Sequence, residues 1–162
     1  MSTHLSIDSK AEDAVKAAFI SIGGADWSDL ATSLGFTINQ GGDHDEMATP
    51  CVNIYSGGPQ PREAMYAGKL ADHYDVSMTV EVRTSADNSP NSNGCTRAEH
   101  AAFFGLMQAI GIRSADQMVA KLNAADIPNF RATQWKHTGG SNDFSGQTRI
   151  SSLTFSLICH HV

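Results

Sequence analysis

Two segments far apart in the chain alternate apolar and polar side chains for so long that only extended strands with one buried face can hold them. From Arg149 to Val162, Leu153, Phe155, Leu157 and Cys159 fall on one face, while Ser152, Thr154, Ser156 and His160 fall on the other. From Asp75 to Thr84, Val76, Met78, Val80 and Val82 oppose Ser77, Thr79, Glu81 and Arg83. A period of two puts successive side chains on opposite sides of a pleated sheet, so each segment covers a core with one face and meets a wetter surface with the other.

Helical spacing surrounds these strands. Ser9 and Glu12 have the spacing of a capping box, and Ala11, Ala14, Val15, Ala18, Phe19 and Ile22 form a stripe that Gly23-Gly24 stops. Trp27, Leu30, Ala31 and Leu34 predict a second, shorter helix ended by Gly35. Thr96 with Glu99 opens a helix buried along Phe103, Leu106, Met107 and Ile110 and closed at Gly111. Ser114 with Gln117 opens another, with Met118, Val119, Leu122 and Ala125 inward and Pro128 beyond its end. Shorter strands are expected at Phe36–Asn39, Cys51–Tyr55 and Phe130–His137.

Polar, glycine-bearing stretches at 40–49, 85–94 and 138–147 read as loops, and 59–74 as an irregular excursion with one turn of helix. The stretch 138–147 is too long for a tight turn on this reading and makes a long-looped hairpin. The order is helix, helix, strand, strand, helix, helix, strand, strand. It predicts an α+β fold over residues 1–162, a single domain with an antiparallel or mixed sheet of about four strands and helices packed on one face.

A chain of 162 residues can bury about two thirds of its unfolded surface without staples. Only 17% of its residues are charged, and its net charge is −6. The eleven basic residues are scattered singly, which argues against a dedicated nucleic-acid surface. Cys51, Cys95 and Cys159 are odd in number, lack a CxxC pair and read as reduced, buried thiols. The first residues lack the basic and apolar regions of a signal peptide, and no apolar run reaches the roughly eighteen residues of a membrane span. A soluble protein made in a cytoplasm is expected.

Candidate chemistry is sparse. Asp43, His44, Asp45 and Glu46 form the densest polar cluster, yet four adjacent residues cannot all converge on one ion, so an exposed acidic loop is expected. Cys159, His160 and His161 suggest zinc, but alternation sends His160 away from the other two. Cys95 and His100 carry the residue types of a thiolate–imidazole pair, but at a spacing that separates them around a helix and without a third orienting group. The glycine pairs at 23–24, 41–42, 57–58 and 139–140 match no phosphate-binding loop. Trp27 reads as core, and Trp135, among Gln134, Lys136 and His137, as either core or an interface anchor. No catalytic, cofactor-binding or metal-binding residue is assigned, no cofactor is expected, and a non-enzymatic role follows.

An N-terminal helix, the Pro-led strand Pro50-Cys51-Val52-Asn53-Ile54-Tyr55 and an excursion carrying Glu63 precede the long strand from Tyr74 to Arg83. A polar loop, a helix pair and a hairpin ending in Ile150-Ser151-Ser152-Leu153-Thr154-Phe155-Ser156-Leu157-Ile158 follow. Over about residues 9–162 this pattern and length resemble the tail terminator, or tail completion, proteins of long-tailed bacteriophages.

The resemblance implies a structural virion protein of the tail and neck, assembled in the host cytoplasm. It would form a ring, commonly a hexamer, that caps the head-proximal end of the tail tube and ends its polymerisation. Its partners would be its own copies, the tube protein and the head–tail connector, with DNA only passing through the lumen and no membrane involved. The nearest alternative is another head–tail joining or stopper protein. From a different class stands a small metal-dependent enzyme using the 43–46 loop. The 59–74 excursion and the 138–147 loop are the expected tube-facing and neighbour-facing contacts.

Overall fold

The computed structural model describes residues 5–41, 49–62, 65–66, 69–70, 73–88 and 93–162. Its frame is a mixed sheet in which the two alternating segments lie side by side. Strand β6 (His73–Ser85) pairs antiparallel with β8 (Thr148–His160), so that Met78 sits opposite Phe155 and Val80 opposite Leu153. Val76, Met78, Val80, Val82, Phe155, Leu157 and Cys159 are all fully buried, as their alternation predicts.

Around this pair the order is β1-β2-β6-β8-β7, with β1 (Thr37–Gln40) parallel to β2 (Cys51–Ser56), β7 (Arg131–Ser145) at the opposite edge, and β3 (Gln60–Arg62) also on β6. The main sheet therefore has six strands where about four were expected. A separate pair, β4 (Met65–Tyr66) and β5 (Lys69–Leu70), stands in the 59–74 excursion, so its described residues are extended rather than helical.

Helix α1 (Ile7–Leu34) breaks at Gly24, whose φ of 51° and ψ of −127° interrupt two helical runs, as the glycine pair foretold. Its N-cap is Ser6, not Ser9, which lies inside the first turn. Gly35 ends it in the left-handed conformation that glycine adopts without a Cβ penalty. Helix α2 (Arg97–Gln108) carries the expected capping box: Thr96 Oγ1 accepts from Glu99 N, and Glu99 Oε1 accepts from Thr96 N.

Gly111 does not stop the helix. A π-helical turn (Ala109–Arg113) passes through it to α3 (Ala115–Ala124), whose N-cap Ser114 makes no side-chain cap bond. The physical reason for glycine at 111 is close packing. A Cβ there would lie 2.5 Å from Phe155 Cζ and 3.2 Å from Phe19 Cζ. Widening the turn also frees the Gly111 carbonyl, which accepts a 2.9 Å bond from Trp135 Nε1. Trp135 is thereby core, stacked on Phe155 with ring centroids 4.3 Å apart. Trp27 is core too, edge-on to Phe103.

The largest departure is the stretch 138–147. It is strand up to Ser145, and only Gly146 and Gln147 turn the chain before Thr148 pairs with Ser145. Gly146 adopts a φ of 60°, which a two-residue hairpin turn requires of one of its residues. Helices cover one face of the sheet, and α1, the π turn, β6, β7 and β8 meet in one continuous apolar core.

Candidate functional site

The apolar face of the central strands ends in hydroxyls. Thr84 follows Val82 on the same face of β6, and Ser151 precedes Leu153 on the same face of β8. Both are buried, at 0% and 5% exposure, and His100 of α2, at 7%, is wedged between them. Ser151 Oγ donates to Asn142 Oδ1 of β7 at 2.7 Å, so it accepts from His100 Nε2 at 2.9 Å. That leaves Nδ1 of the neutral ring to accept from Thr84 Oγ1 at 2.7 Å. Burial, and then the positive charge of Arg149, hold the His100 pKa below its ordinary value.

This relay joins α2, β6, β8 and β7, and its chemistry is structural. A nucleophilic serine would direct its proton to the imidazole, whereas Ser151 directs it to an amide oxygen. The Cys95–His100 pair does not form, because both ring nitrogens are committed to hydroxyls. The Cys95 thiol is itself pushed up, chiefly by burial, and its carbonyl accepts from Arg149 Nη1 at 3.1 Å. Burial likewise pushes Cys51 up to about 11 and Cys159 up to about 12, so neither is a thiolate at neutral pH.

His160 lies on the face away from Cys159, its ring 4.4 Å from that of His73, while His161 Nδ1 lies 3.3 Å from Lys10 Nζ. Among the described residues no three His, Cys, Asp or Glu side chains gather as metal ligands. Asp43, His44, Asp45 and Glu46 lie outside the described residues.

Beside the relay, between α2 and the far end of the β7–β8 hairpin, opens a cavity of about 340 Å³. His100 and Ser151 reach its wall, as do Arg97, Arg149 and Phe144. Phe144 is the most exposed large aromatic side chain described, at 72%. Thr84 and Ser151 were passed over in the sequence; the signal that marks them is a pair of hydroxyls ending two apolar faces, which calls for a buried polar partner. Asn142 and Phe144 carried no such signal, since they fall in the stretch read as loop.

The same hairpin end exposes the sheet's long edge. At its start β7 is held: Asn123 of α3 accepts from Ala132 N at 2.8 Å and donates to Ala132 O at 3.0 Å, as a neighbouring strand would. From Gly140 to Asp143 no other strand or side chain takes the outward main-chain groups among the described residues.

No described helix is long and apolar enough to cross a membrane. No protein-family model matches the chain, and no curated protein matches it.

Proposed function

We propose that this chain is a structural assembly protein that associates with its own copies through the outer edge of β7. Its role would be that of the tail terminator proteins it resembles, a ring closing the head-proximal end of a phage tail tube and meeting the head connector. The carrying observation is the bare stretch of β7 from Gly140 to Asp143, continuous with the exposed Phe144. A long edge of this kind is a template for another strand, and natural monomers blunt it with charges, bulges or covers. Here both bulges, at Ala132/Gln134 and His137/Gly139, precede the bare stretch, and Asp143 is its one charge.

Support also comes from composition, because a chain in which only 17% of residues are charged loses little hydration where its surface packs against a neighbour. A ring uses two unlike patches per subunit, so the β7 edge would meet a different surface of the next copy. The expected neighbour contact thus moves from a loop to a strand edge, and the 59–74 excursion remains the proposed tube-facing segment. A role without catalysis fits a relay that holds hydroxyls still and thiols that stay protonated.

Particle mass is the test. The protein should assemble well above the 17.3 kDa of one chain, and Thr138→Lys with Ser141→Lys on the exposed edge should return it to that mass. Each substitution also removes a side-chain hydrogen bond to β8, from Thr138 Oγ1 to the Thr154 carbonyl and between the Ser141 and Ser152 hydroxyls, so folding stability should fall by about 1–3 kcal/mol while the chain stays folded. A native protein that stays at 17.3 kDa, or a double variant that assembles undiminished, overturns the proposal.

A further inference from the structure

The cavity beside the relay has a chemical bias that ring assembly does not require. Its polar lining is rich in donors. Arg97 has no hydrogen-bond or ion-pair partner among the described residues. Arg149 commits one N–H to the Cys95 carbonyl and keeps the rest of its fork. Asn142 uses its carbonyl oxygen on Ser151 and retains both amide hydrogens. Against them stands one carboxylate, Asp143, and its Oδ1 already accepts from Phe144 N at 2.8 Å.

Apart from His100 and Ser151, whose polar atoms are bonded within the relay, the remaining walls are apolar: Ala101 and Phe104 from α2, and Phe144 from the hairpin. In a chain of net charge −6, two guanidiniums facing one carboxylate make a local reversal of sign. A guanidinium fork matches the two oxygens of a carboxylate, and fixed donors left without acceptors favour an anion that supplies them.

We infer that this cavity is a binding site for a carboxylate carried on a flat apolar group. Arg97 and Arg149 grip the carboxylate, and Phe104, Ala101 and Phe144 cover the apolar body. Small-molecule sites begin at about 300 Å³, so a cavity of about 340 Å³ admits a small aromatic acid rather than a nucleotide. The relay explains why the site is preformed. His100 ties α2 to β8, and Ser151 ties β8 to Asn142, so both walls of the cavity are fixed to one another before any ligand arrives. The inference does not rest on ring assembly.

The probe is benzoate, titrated at constant ionic strength into the full chain, with amide resonances of Ala101, Asn142 and Ser151 followed by NMR. Saturable shifts should centre on these positions, and neutral benzamide should bind at least about tenfold more weakly, since a charged hydrogen bond contributes that much. Arg97→Gln should weaken benzoate by about tenfold while the rest of the spectrum is kept, because the Arg97 side chain makes no hydrogen bond or ion pair among the described residues. Arg149→Gln should do the same and also disturb the Cys95 segment, so Arg97 gives the cleaner reading.

The inference is overturned if benzamide binds as tightly as benzoate, if the shifts scatter over the surface, or if Arg97→Gln leaves affinity unchanged. Particle mass, measured on the same samples, separates the two readings. Benzoate binding by a monomer keeps the site and removes the ring, whereas a ring indifferent to benzoate removes the site alone.

Discussion

The two halves of β7 are one strand in two physical situations. From Arg131 to His137 the strand is covered: Ala132 and Trp135 are buried, Asn123 satisfies its edge and Trp135 is bonded to the π turn. From Gly139 to Phe144 the same strand still pairs with β8, yet none of its side chains is buried. The first half is held by the core and the second by the ladder and the Asn142 bond to Ser151. A strand that stays regular without a buried face of its own is available to something else. That contrast separates the strand's scaffold half from the half proposed to contact other copies.

The contrast breaks most decisively at Phe155, which lies under the covered half. It stacks on Trp135, meets Phe19 edge-on and fills the space above Gly111. Phe155→Ala should cost about 3–5 kcal/mol, the usual range for a buried aromatic replaced by alanine. Urea unfolding measures it, and a loss below about 1 kcal/mol would mean that this half is not anchored by the core.

The faces of β6 and β8 were legible because each has a dry side and, buried Glu81 and Ile158 apart, a wetter one, and alternation records that difference directly. The end of β7 was not, for the complementary reason. With both sides of Gly139–Phe144 open to water, no selection for an apolar face writes a period of two, and Gly-Gly-Ser-Asn-Asp reads as loop. Trp135 was ambiguous because the bulge between Ala132 and Gln134 shifts parity, bringing residues 132 and 135 to the same face, and a bulge leaves no composition mark. Gly111 was taken as a stop because a glycine needed for close approach looks in sequence like one needed for termination.

Of the candidate site, only His100 was singled out in the sequence, beside Cys95; Thr84 and Ser151 continue the apolar faces of β6 and β8 and were passed over. Arg97, Arg149, Asn142 and Phe144 were not legible, since what joins them is the approach of α2 to the hairpin end, roughly forty residues later in the chain.

A smaller effect sharpens the comparison at the covered half itself. Trp135→Phe keeps most of the ring but removes the donor to the Gly111 carbonyl. A buried acceptor left without its partner costs about 1–3 kcal/mol. Thermal or urea unfolding should show a loss in that range, with particle mass unchanged, because Trp135 is buried in the core. Stability within about 0.5 kcal/mol of the native protein would show that water replaces the indole there, and that the covered half is wetter than its packing indicates.

The smallest effect belongs to the relay that ties α2 to the uncovered half. In the folded protein His100 has a pKa below the ordinary 6.5, chiefly through burial and secondarily through Arg149. Between that lowered value and 6.5 the unfolded chain binds more protons than the folded one, so stability rises with pH across this window. The contribution is therefore complete above 6.5 and is lost as pH falls from there toward the folded value. Protonation also leaves both ring nitrogens as donors, so Thr84 Oγ1 must turn from donating to accepting. Urea unfolding at about pH 7.5 and about pH 5.5 brackets the titration of a histidine. His100→Asn places an amide between the same hydroxyls and cannot titrate, so its stability should fall less between the two conditions than that of the native protein. The two proteins differ only at residue 100, so the difference between their losses isolates that side chain. Equal losses in the two would locate the proton elsewhere, and the relay would then hold the hairpin end without sensing pH.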